Sequence, residues 1–391
     1  MKKIVIIGGG ASGLFAAAYL SFYTSYAITI LEKNNRVGKK LLLTGNGKCN
    51  LANANTTSSC FNHIEAMDLF NQFDFKQTIH FFHQLGLMTK IDQEGRVYPY
   101  SESSTSVLDI LRKYILSKNQ TFICDFEVTS IIKNQKQFIV MNSLNEKIIS
   151  DKLIIATGGK TYYKQTNSYQ LATLFHHSIT PLNPSLIGLK VKENVSSLQN
   201  LRVKASVSLV QNETILVKDS GEILFKKDGL SGIVIFQMSS YWNRLSNKNA
   251  ILKIDFFPHL SLKELILLLK EKKCAFKELL DGILLKMVAQ YVYKYVSSQS
   301  IEELAYVLKN LIFHIDSTYS FENAQVTSGG IDIKEIDLQT MMSKKEKDVY
   351  FIGEILDLDG ICGGYNLQIA WTTAAICGNH LRKEEQNEVK K

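Results

Sequence analysis

The sequence predicts an α/β fold in which a parallel-sheet, nucleotide-binding domain is interrupted by an inserted β-rich region and a helical subdomain. Three observations predict it. An apolar strand runs straight into a glycine turn and a helix at the N-terminus. A second apolar strand ends in Gly158-Gly159, and a third, ending in Gly353-Glu354, returns near the C-terminus. The 391 residues are 45% hydrophobic and 21% charged, a globular composition that excludes collagen-like, disordered and coiled-coil classes. No apolar run reaches the roughly 18 residues of a membrane span. The glycines that break the run from Ile4 to Gly10 do not fit a signal peptide.

Lys3 to Ile7 has the pattern of a strand buried on both faces of a parallel sheet. Gly8-Gly9-Gly10-Ala11-Ser12-Gly13 follows without a gap, Leu14 to Phe22 reads as a helix, and Ala27 to Glu32 as a second strand. In this βαβ unit Gly8 permits the tight turn, Gly10 lets backbone approach a pyrophosphate, and Gly13 lets helix and strand pack closely. Glu32, at the end of the second strand, is placed to accept hydrogen bonds from ribose hydroxyls. The fingerprint alone does not separate FAD from NAD. Its position at the start of the chain favours FAD, as does the glycine-ended strand Lys152–Gly159, whose Ala156, Thr157 and Gly158 return to the cofactor. Gly353 and Glu354 add a third approach, suited to ribityl hydroxyls and the flavin ring.

Thr121–Ser130 and Gln137–Met141 alternate like antiparallel strands. From Leu186 to Phe257 short strands are separated by turn signals at Asn212-Glu213 and Ser220-Gly221, as in a small β domain. Residues 261–310 turn leucine- and lysine-rich with helical periods, and Asn366–Leu381 reads as a final helix. The expected division is a cofactor domain over 1–185 and 329–391, an inserted β domain over 186–258 and 311–328, and a helical subdomain over 259–310.

Forty-five Lys and Arg against 37 Asp and Glu leave a net charge of +8, which admits a polyanionic partner without demanding one. Six scattered cysteines with no CxxC pair argue against a zinc ribbon, a thioredoxin-type site or a disulfide framework. A reduced, cytoplasmic chain is the expectation. His176-His177 lacks companion ligands, so no metal is expected, and the pair reads as a solvated helix end. Between Lys263 and Lys309 eight lysines face six acids, interleaved with Phe276, Tyr291, Tyr293, Tyr295 and Tyr306. That pattern suits either RNA held by stacking and charge or amphipathic helices whose tyrosines cover a core.

Three motifs carry a resemblance: Gly38-Lys39-Lys40-Leu41-Leu42-Leu43-Thr44-Gly45-Asn46-Gly47-Lys48-Cys49-Asn50, Glu94-Gly95-Arg96-Val97-Tyr98-Pro99, and Leu356 through Gln368. Together they closely resemble the BaiN/RdsA-like (HI0933-like) flavoproteins, over residues 1 to 381. The resemblance implies a Rossmann-like FAD-binding domain with an inserted β-barrel and a helical subdomain, and NAD(P)H as an electron donor. The activity it implies is reduction of a uridine of 23S ribosomal RNA to dihydrouridine, with hydride delivered to C6 and a proton to C5. Reduction of a steroid-like enone is the alternative, and a non-catalytic flavin-containing ribosome-assembly factor a third. Ribosomal RNA is accordingly the implied partner. Carried over residue by residue, the FAD contacts fall on Gly8, Gly10, Ser12, Gly13, Glu32, Lys33, Lys40, Thr44, Gly45, Cys49, Asn50 and Val128. They continue through Gly353, Glu354, Gly364, Tyr365, Asn366 and Gln368.

Cys49 is the candidate proton donor, with packing beside the flavin as the other reading. Cys362 invites a redox pair with it, although sequence cannot give their separation. Arg96 suits either an anion or a structural salt bridge. The chain departs from the family after Gly159, where Thr161 to Tyr169 replaces a glycine-rich stretch, at Ile233, where a proline is usual, and at Cys362, where a threonine is usual. No second GxGxxG follows a later strand, so a dedicated NAD(P)H domain is not expected. The purified protein is expected to be yellow, with FAD recoverable in solution after denaturation; recovery of FMN instead would contradict the reading of the glycine turn.

Overall fold

Ile4, Val5, Ile6 and Ile7 are buried on both faces because β1 (Lys3–Ile7) lies inside a seven-stranded sheet. The computed structural model describes residues 2–161 and 168–389. It divides into one unit of residues 1–183 and 326–391 and a second of residues 184–325.

In the first unit, β1 pairs in parallel with β2 (Ala27–Leu31) on one side and with Lys152–Ile155 on the other. Beyond Lys152–Ile155 lies Val349–Phe351, also parallel. The short strands Met342–Ser343 and Ile336–Asp337 complete that side in antiparallel order. Thr121–Ile123 closes the other edge, parallel to β2. The expectation of antiparallel strands across 121–130 is therefore corrected. Only Val128–Asn134 onward is antiparallel, in a three-stranded meander with Gln137–Asn142 and Lys147–Ser150. A half-exposed edge strand alternates with the same period of two whichever way its neighbour runs, so pattern alone does not carry direction.

Helix α1 (Ala11–Tyr23) is buried nearly all round, as a helix with no polar face must be. It packs on the long C-terminal helix Tyr365–Val389. A Cβ at Gly378 would lie 2.6 Å from the Tyr19 ring, and the Tyr19 hydroxyl donates to Asn379 Oδ1 (2.9 Å). Phe15 gathers Phe81, Phe82 and Trp371 at centroid distances of 4.9, 5.5 and 5.2 Å. The C-terminal helix runs past its expected end at Leu381. Part of the reason is Glu384, whose carboxylate meets the buried Lys152 ammonium at 2.9 Å while Asp348 meets it at 2.5 Å.

His177 corrects a second expectation. It is buried, with Nδ1 3.0 Å from Glu335 Oε2 and Nε2 2.8 Å from Ser343 Oγ. Burial pushes its imidazole below the usual range despite the neighbouring carboxylate. Burial would raise Glu335 too, but the Lys345 ammonium, Ser178 and His177 outweigh it and hold that carboxyl at about 2.

The second unit is a closed six-stranded barrel in the order Leu189–Val191, Gly229–Ser231, Thr214–Phe225, Arg202–Gln211, Ile251–Asp255, Leu311–Thr318. Asn212 and Glu213 make its long hairpin turn, both with positive φ (48° and 65°), as a type I′ turn requires. Ser220-Gly221, by contrast, is mid-strand and not a turn, paired with Ser206 and Ala205. Gly221 is small because Val234 of the helix Ile233–Arg244 packs over it, 3.3 Å from where a Cβ would stand. Ile233 opens that helix, the position where proline is favoured because the N–H has no intrahelical partner. The helices Leu262–Glu271, Lys286–Tyr293 and Ile301–Lys309 share one core with the barrel, Leu265, Leu269, Leu304 and Leu308 joining Leu252, Ile254 and Phe313. Tyr291 stacks on Phe313 (6.2 Å) and Tyr293 donates to the Phe276 carbonyl (2.9 Å), so these tyrosines serve the core. Tyr295 and Tyr306 stay exposed. Among the described residues no helix is long and apolar enough to cross a membrane.

Two outcomes follow for stability. A Cβ at Gly13 would stand 2.0 Å from the Gly8 carbonyl oxygen. Gly13→Ala should therefore destabilise the cofactor-free protein by about 2–4 kcal/mol, despite alanine's better helix propensity, as measured by denaturant unfolding. Because the Glu335 carboxyl is depressed from 4.5 to about 2, its stabilising contribution is complete above pH 4.5 and is lost as pH falls toward 2. Glu335→Gln should flatten the stability profile across that window.

Candidate active site

The site begins where β1 ends. Gly8 (φ +112°) lies so close to the next strand that a Cβ would sit 2.4 Å from the Ala156 carbonyl oxygen. Gly10 is the N-cap of α1, in extended conformation, with no side chain capping the helix and no acid in its first turn. A Cβ on Gly10 would meet nothing within 4 Å. The start of α1, with no side-chain cap and space beside Gly10, offers its N–H groups and positive dipole end to a pyrophosphate. Buried Glu32 accepts from the Gly9 N–H (2.9 Å) through Oε2 and from the Asn34 N–H (2.9 Å) through Oε1. One carboxylate therefore ties the glycine turn to the end of β2 and keeps further lone pairs for ribose hydroxyls. Lys33 follows it, half-buried. Val128 is buried two residues after Phe126, whose N–H donates to the Glu32 carbonyl (3.0 Å).

The ends of Lys152–Ile155 and Val349–Phe351 converge on the same turn. Ala156 donates its N–H to the Ile7 carbonyl (2.8 Å), Thr157 follows, and a Cβ on Gly158 (φ +70°), as on Gly10, would meet nothing within 4 Å among the described residues. Gly353 (φ +75°) lies against Ser12 in the first turn of α1, 2.5 Å from Ser12 Oγ to its would-be Cβ, and donates its N–H to Thr373 Oγ1 (3.0 Å). Glu354 accepts from the Thr327 N–H (2.9 Å) and pairs with Lys40 Nζ (2.5 Å), which also reaches Thr161 Oγ1 (2.5 Å). Lys40 and Glu354, 314 residues apart, are thereby one polar cluster.

The loop from Thr44 to Asn50 brings a second face. Gly45, Asn46, Gly47 and Cys49 all have positive φ (56°, 53°, 85° and 57°), and the Cys49 N–H donates to the Thr44 carbonyl (3.0 Å). Trp371 Nε1 in the C-terminal helix donates to the Leu51 carbonyl (2.9 Å) and pins this loop. Gly364 (φ +102°) packs against it, a Cβ there falling 2.6 Å from both Asn50 Oδ1 and the Ala52 carbonyl oxygen. Asn50 Oδ1 is buried and has no hydrogen-bond partner among the described residues. A buried acceptor without a donor costs about 1–3 kcal/mol, which a bound group presenting an O–H or N–H would recover. With the open faces at Gly10 and Gly158, the residues present fit an extended dinucleotide carrying a hydroxylated chain.

Other expected contacts use their side chains internally. The Tyr365 hydroxyl donates to the Asn55 carbonyl (2.9 Å), and Asn366 brackets Gly360 through its Oδ1 and Nδ2 (2.9 and 2.8 Å). Gln368 is buried with Nε2 donating to Thr78 and Thr372 (3.0 and 2.8 Å). Arg96 pairs with Asp92 and Glu94 (2.8 Å each). Cys49 is fully buried and its thiol is pushed up to about 12 by that burial, the Thr44 hydrogen bond lowering it only in part. A proton donor needs access and a pKa near the working pH, and the burial of Cys49 works against both. The replaced segment after Gly159 lies, over 162–167, outside the described residues. Thr327, Thr161 and Thr373 were not identified from sequence, since a single threonine has no spacing signal and their partners Glu354, Lys40 and Gly353 lie 27, 121 and 20 residues away. Among the described residues no group of three His, Cys, Asp or Glu is placed to hold a metal.

A glycine turn capped by α1, an acid closing β2, and two further glycine-ended strands define a Rossmann-type, FAD-binding oxidoreductase. The chain belongs to the HI0933-like protein Rossmann domain family, which matches residues 2–380. It is similar over nearly its whole length to a 3-dehydro-bile acid delta(4,6)-reductase of Clostridium scindens (31% identical, covering 97% of this chain and 98% of that one). A ribosomal RNA dihydrouridine synthase of Haemophilus influenzae is 28% identical, covering 97% and 98%. In fold it is similar to a solved 3-ketosteroid-delta4-(5alpha)-dehydrogenase of Rhodococcus jostii RHA1 (TM-score 0.53, 11% identical, 97% of each chain).

Two substitutions test cofactor binding, and the first of them separates it from folding. Gly10→Ala should leave cofactor-free stability within about 0.5 kcal/mol of wild type yet weaken FAD at least tenfold by equilibrium dialysis. Glu32→Gln should weaken FAD by about 1.5–3 kcal/mol, the usual contribution of a hydrogen bond to a charged acceptor.

Proposed function

We propose that this chain is an FAD-dependent reductase of a carbon–carbon double bond conjugated to a carbonyl, and that its substrate is a uridine of large-subunit ribosomal RNA, converted to dihydrouridine. The observation that carries the reaction class is that both kinds of relative, matched end to end, are named for substrates of this electronic type. In uracil the C5–C6 bond is conjugated to the C4 carbonyl, and in a 3-keto steroid the C4–C5 bond is conjugated to the C3 carbonyl. Both accept hydride at the carbon β to the carbonyl and a proton at the α carbon. The choice of RNA is supported by the net charge of +8, and it requires a target base that is unpaired or flipped out.

Gly8, Gly10, Ser12 and Gly13 would hold the pyrophosphate at the start of α1, with Ala156, Thr157 and Gly158 along its flank. Glu32, Lys33 and Val128 line the adenosine end. Lys40, Thr44, Gly45, Asn50, Gly353, Glu354, Gly364, Tyr365 and Asn366 surround the ribityl chain and ring, with Gln368 and Trp371 fixing the loops behind them. FAD, when bound and reduced by NAD(P)H or another donor, would supply the hydride. The Lys40–Glu354 pair would keep a charged, hydrogen-bonded edge at the cofactor site, and Asn50 Oδ1 would accept from the bound group. Cys49 fills space behind the loop, so Cys49→Ala should keep turnover within about tenfold of wild type, against the loss of roughly 10²–10⁴ expected for a general acid.

The second reading, reduction of a steroid-like enone, is favoured by the 31% identity to the bile-acid enzyme. Mass spectrometry of ribosomal nucleosides from wild-type and deletion strains separates the two. Loss of one large-subunit dihydrouridine, restored by the wild-type gene, supports the RNA reading. Unchanged nucleosides together with enone reduction by the purified enzyme would replace it.

A further inference from the structure

The barrel unit contains a pocket that the flavin chemistry does not use. It has a volume of about 250 Å³ and lies between the outer face of the strands Arg202–Gln211, Thr214–Phe225 and Ile251–Asp255 and the helices Leu262–Glu271 and Ile301–Lys309. Its floor is set by strand register. Lys218 and Lys253 both pair with Ser208, from opposite sides, so the three side chains share one face of the sheet with the lysine Cα atoms about 10 Å apart. Ser208 is short and buried, which leaves a trough between the two ammonium groups. A third lysine, Lys309, is committed to the fold: its Nζ holds Asp255 (2.9 Å) and the carbonyls of Phe257 and Leu260 (2.8 and 2.6 Å). That pair neutralises the one carboxylate in the pocket. Lys218 and Lys253 have no hydrogen-bond or ion-pair partner among the described residues.

The walls are apolar and exposed. Tyr306 is 57% exposed, Ile215 53% and Leu262 38%. Its neighbours on the same helical insert, Tyr291 and Tyr293, are spent on the core, whereas Tyr306 presents its ring at the pocket. Two unpaired cations spaced along a sheet face beside an exposed aromatic ring and aliphatic walls match the chemistry of a short single-stranded nucleic acid: phosphates on the lysines, a base on the ring. An acidic peptide would use the lysines but not the ring.

We propose that this pocket binds single-stranded RNA, with Lys218 and Lys253 contacting phosphates and Tyr306 stacking a base, and so grips the substrate through the barrel unit. This rests on the reading that the substrate is RNA. The test uses the flavin-loaded full chain and two probes, a fluorescent oligouridylate of roughly 12 nucleotides and a labelled polyglutamate of equal charge. Both are titrated by anisotropy at several salt concentrations against wild type, Lys218→Gln/Lys253→Gln and Tyr306→Leu. The expected result is oligouridylate binding weakened at least tenfold by the double lysine variant, with its log–log salt slope reduced by about 1.4 for two lost phosphate contacts. Tyr306→Leu should weaken oligouridylate at least fivefold and leave polyglutamate unchanged. Flavin content and melting temperature, unaffected in both variants, show that folding is intact. If wild type binds oligouridylate and the variants match it, the pocket assignment is overturned while the RNA reading stands. If Tyr306→Leu is neutral, or shifts both probes alike, nucleotide recognition is overturned in favour of a general polyanion contact. If wild type shows no salt-dependent RNA binding, the RNA reading itself fails and the pocket with it.

Discussion

The close approach of Gly8, Gly13 and Ala156 is the constraint on which the rest of the first unit depends. Backbone atoms there come nearer than any side chain allows, with would-be Cβ positions 2.4 and 2.0 Å from carbonyl oxygens. Only because those positions are bare does α1 begin directly above the ends of parallel strands. That placement aims its unsatisfied N–H groups into open space at Gly10. Gly353 repeats the device from the C-terminal strand, pressed against Ser12. Three strand ends from distant parts of the chain thus meet at one helix terminus, and the polar cluster of Lys40, Glu354, Thr161 and Thr327 closes around it.

The opposite wall is set by packing. Trp371, fully buried among Phe15 and Phe82, reaches out of the aromatic core to hold the Leu51 carbonyl. It fixes a loop in which the non-glycine residues Asn46 and Cys49 take positive φ and store backbone strain, while Gly45 and Gly47 adopt it freely. Strained, rigidly supported backbone beside an unpaired buried acceptor at Asn50 is the pattern of a binding site built in advance of its ligand. Cys49 lies buried in the same loop, and that burial pushes its thiol up to about 12.

The βαβ start was legible because its signals are local. Gly8, Gly10, Gly13 and Glu32 lie within one turn and one strand of each other, and each glycine answers to a steric demand visible in its spacing. What was not legible depended on partners far along the chain. His177 looked solvated until Glu335 and Ser343, more than 150 residues away, enclosed it. Ser220-Gly221 has turn composition, yet the small side chain exists to admit Val234. Thr121–Ile123 has an alternation that either strand direction satisfies. The tyrosines of the helical insert divided between core and surface according to barrel residues such as Phe313, which no periodicity within the insert reveals.

The central claim is that reducing equivalents held at this glycine-lined site pass to an alkene conjugated with a carbonyl in RNA. The direct test is anaerobic: photoreduce the flavin-loaded protein, mix it with an unmodified transcript of the large-subunit RNA, and follow the return of oxidised-flavin absorbance. Reoxidation at a rate that depends on transcript concentration, with dihydrouridine formed in equal amount, is the predicted result. Flavin that stays reduced with the transcript but is reoxidised by a 3-keto-4-ene steroid would contradict it.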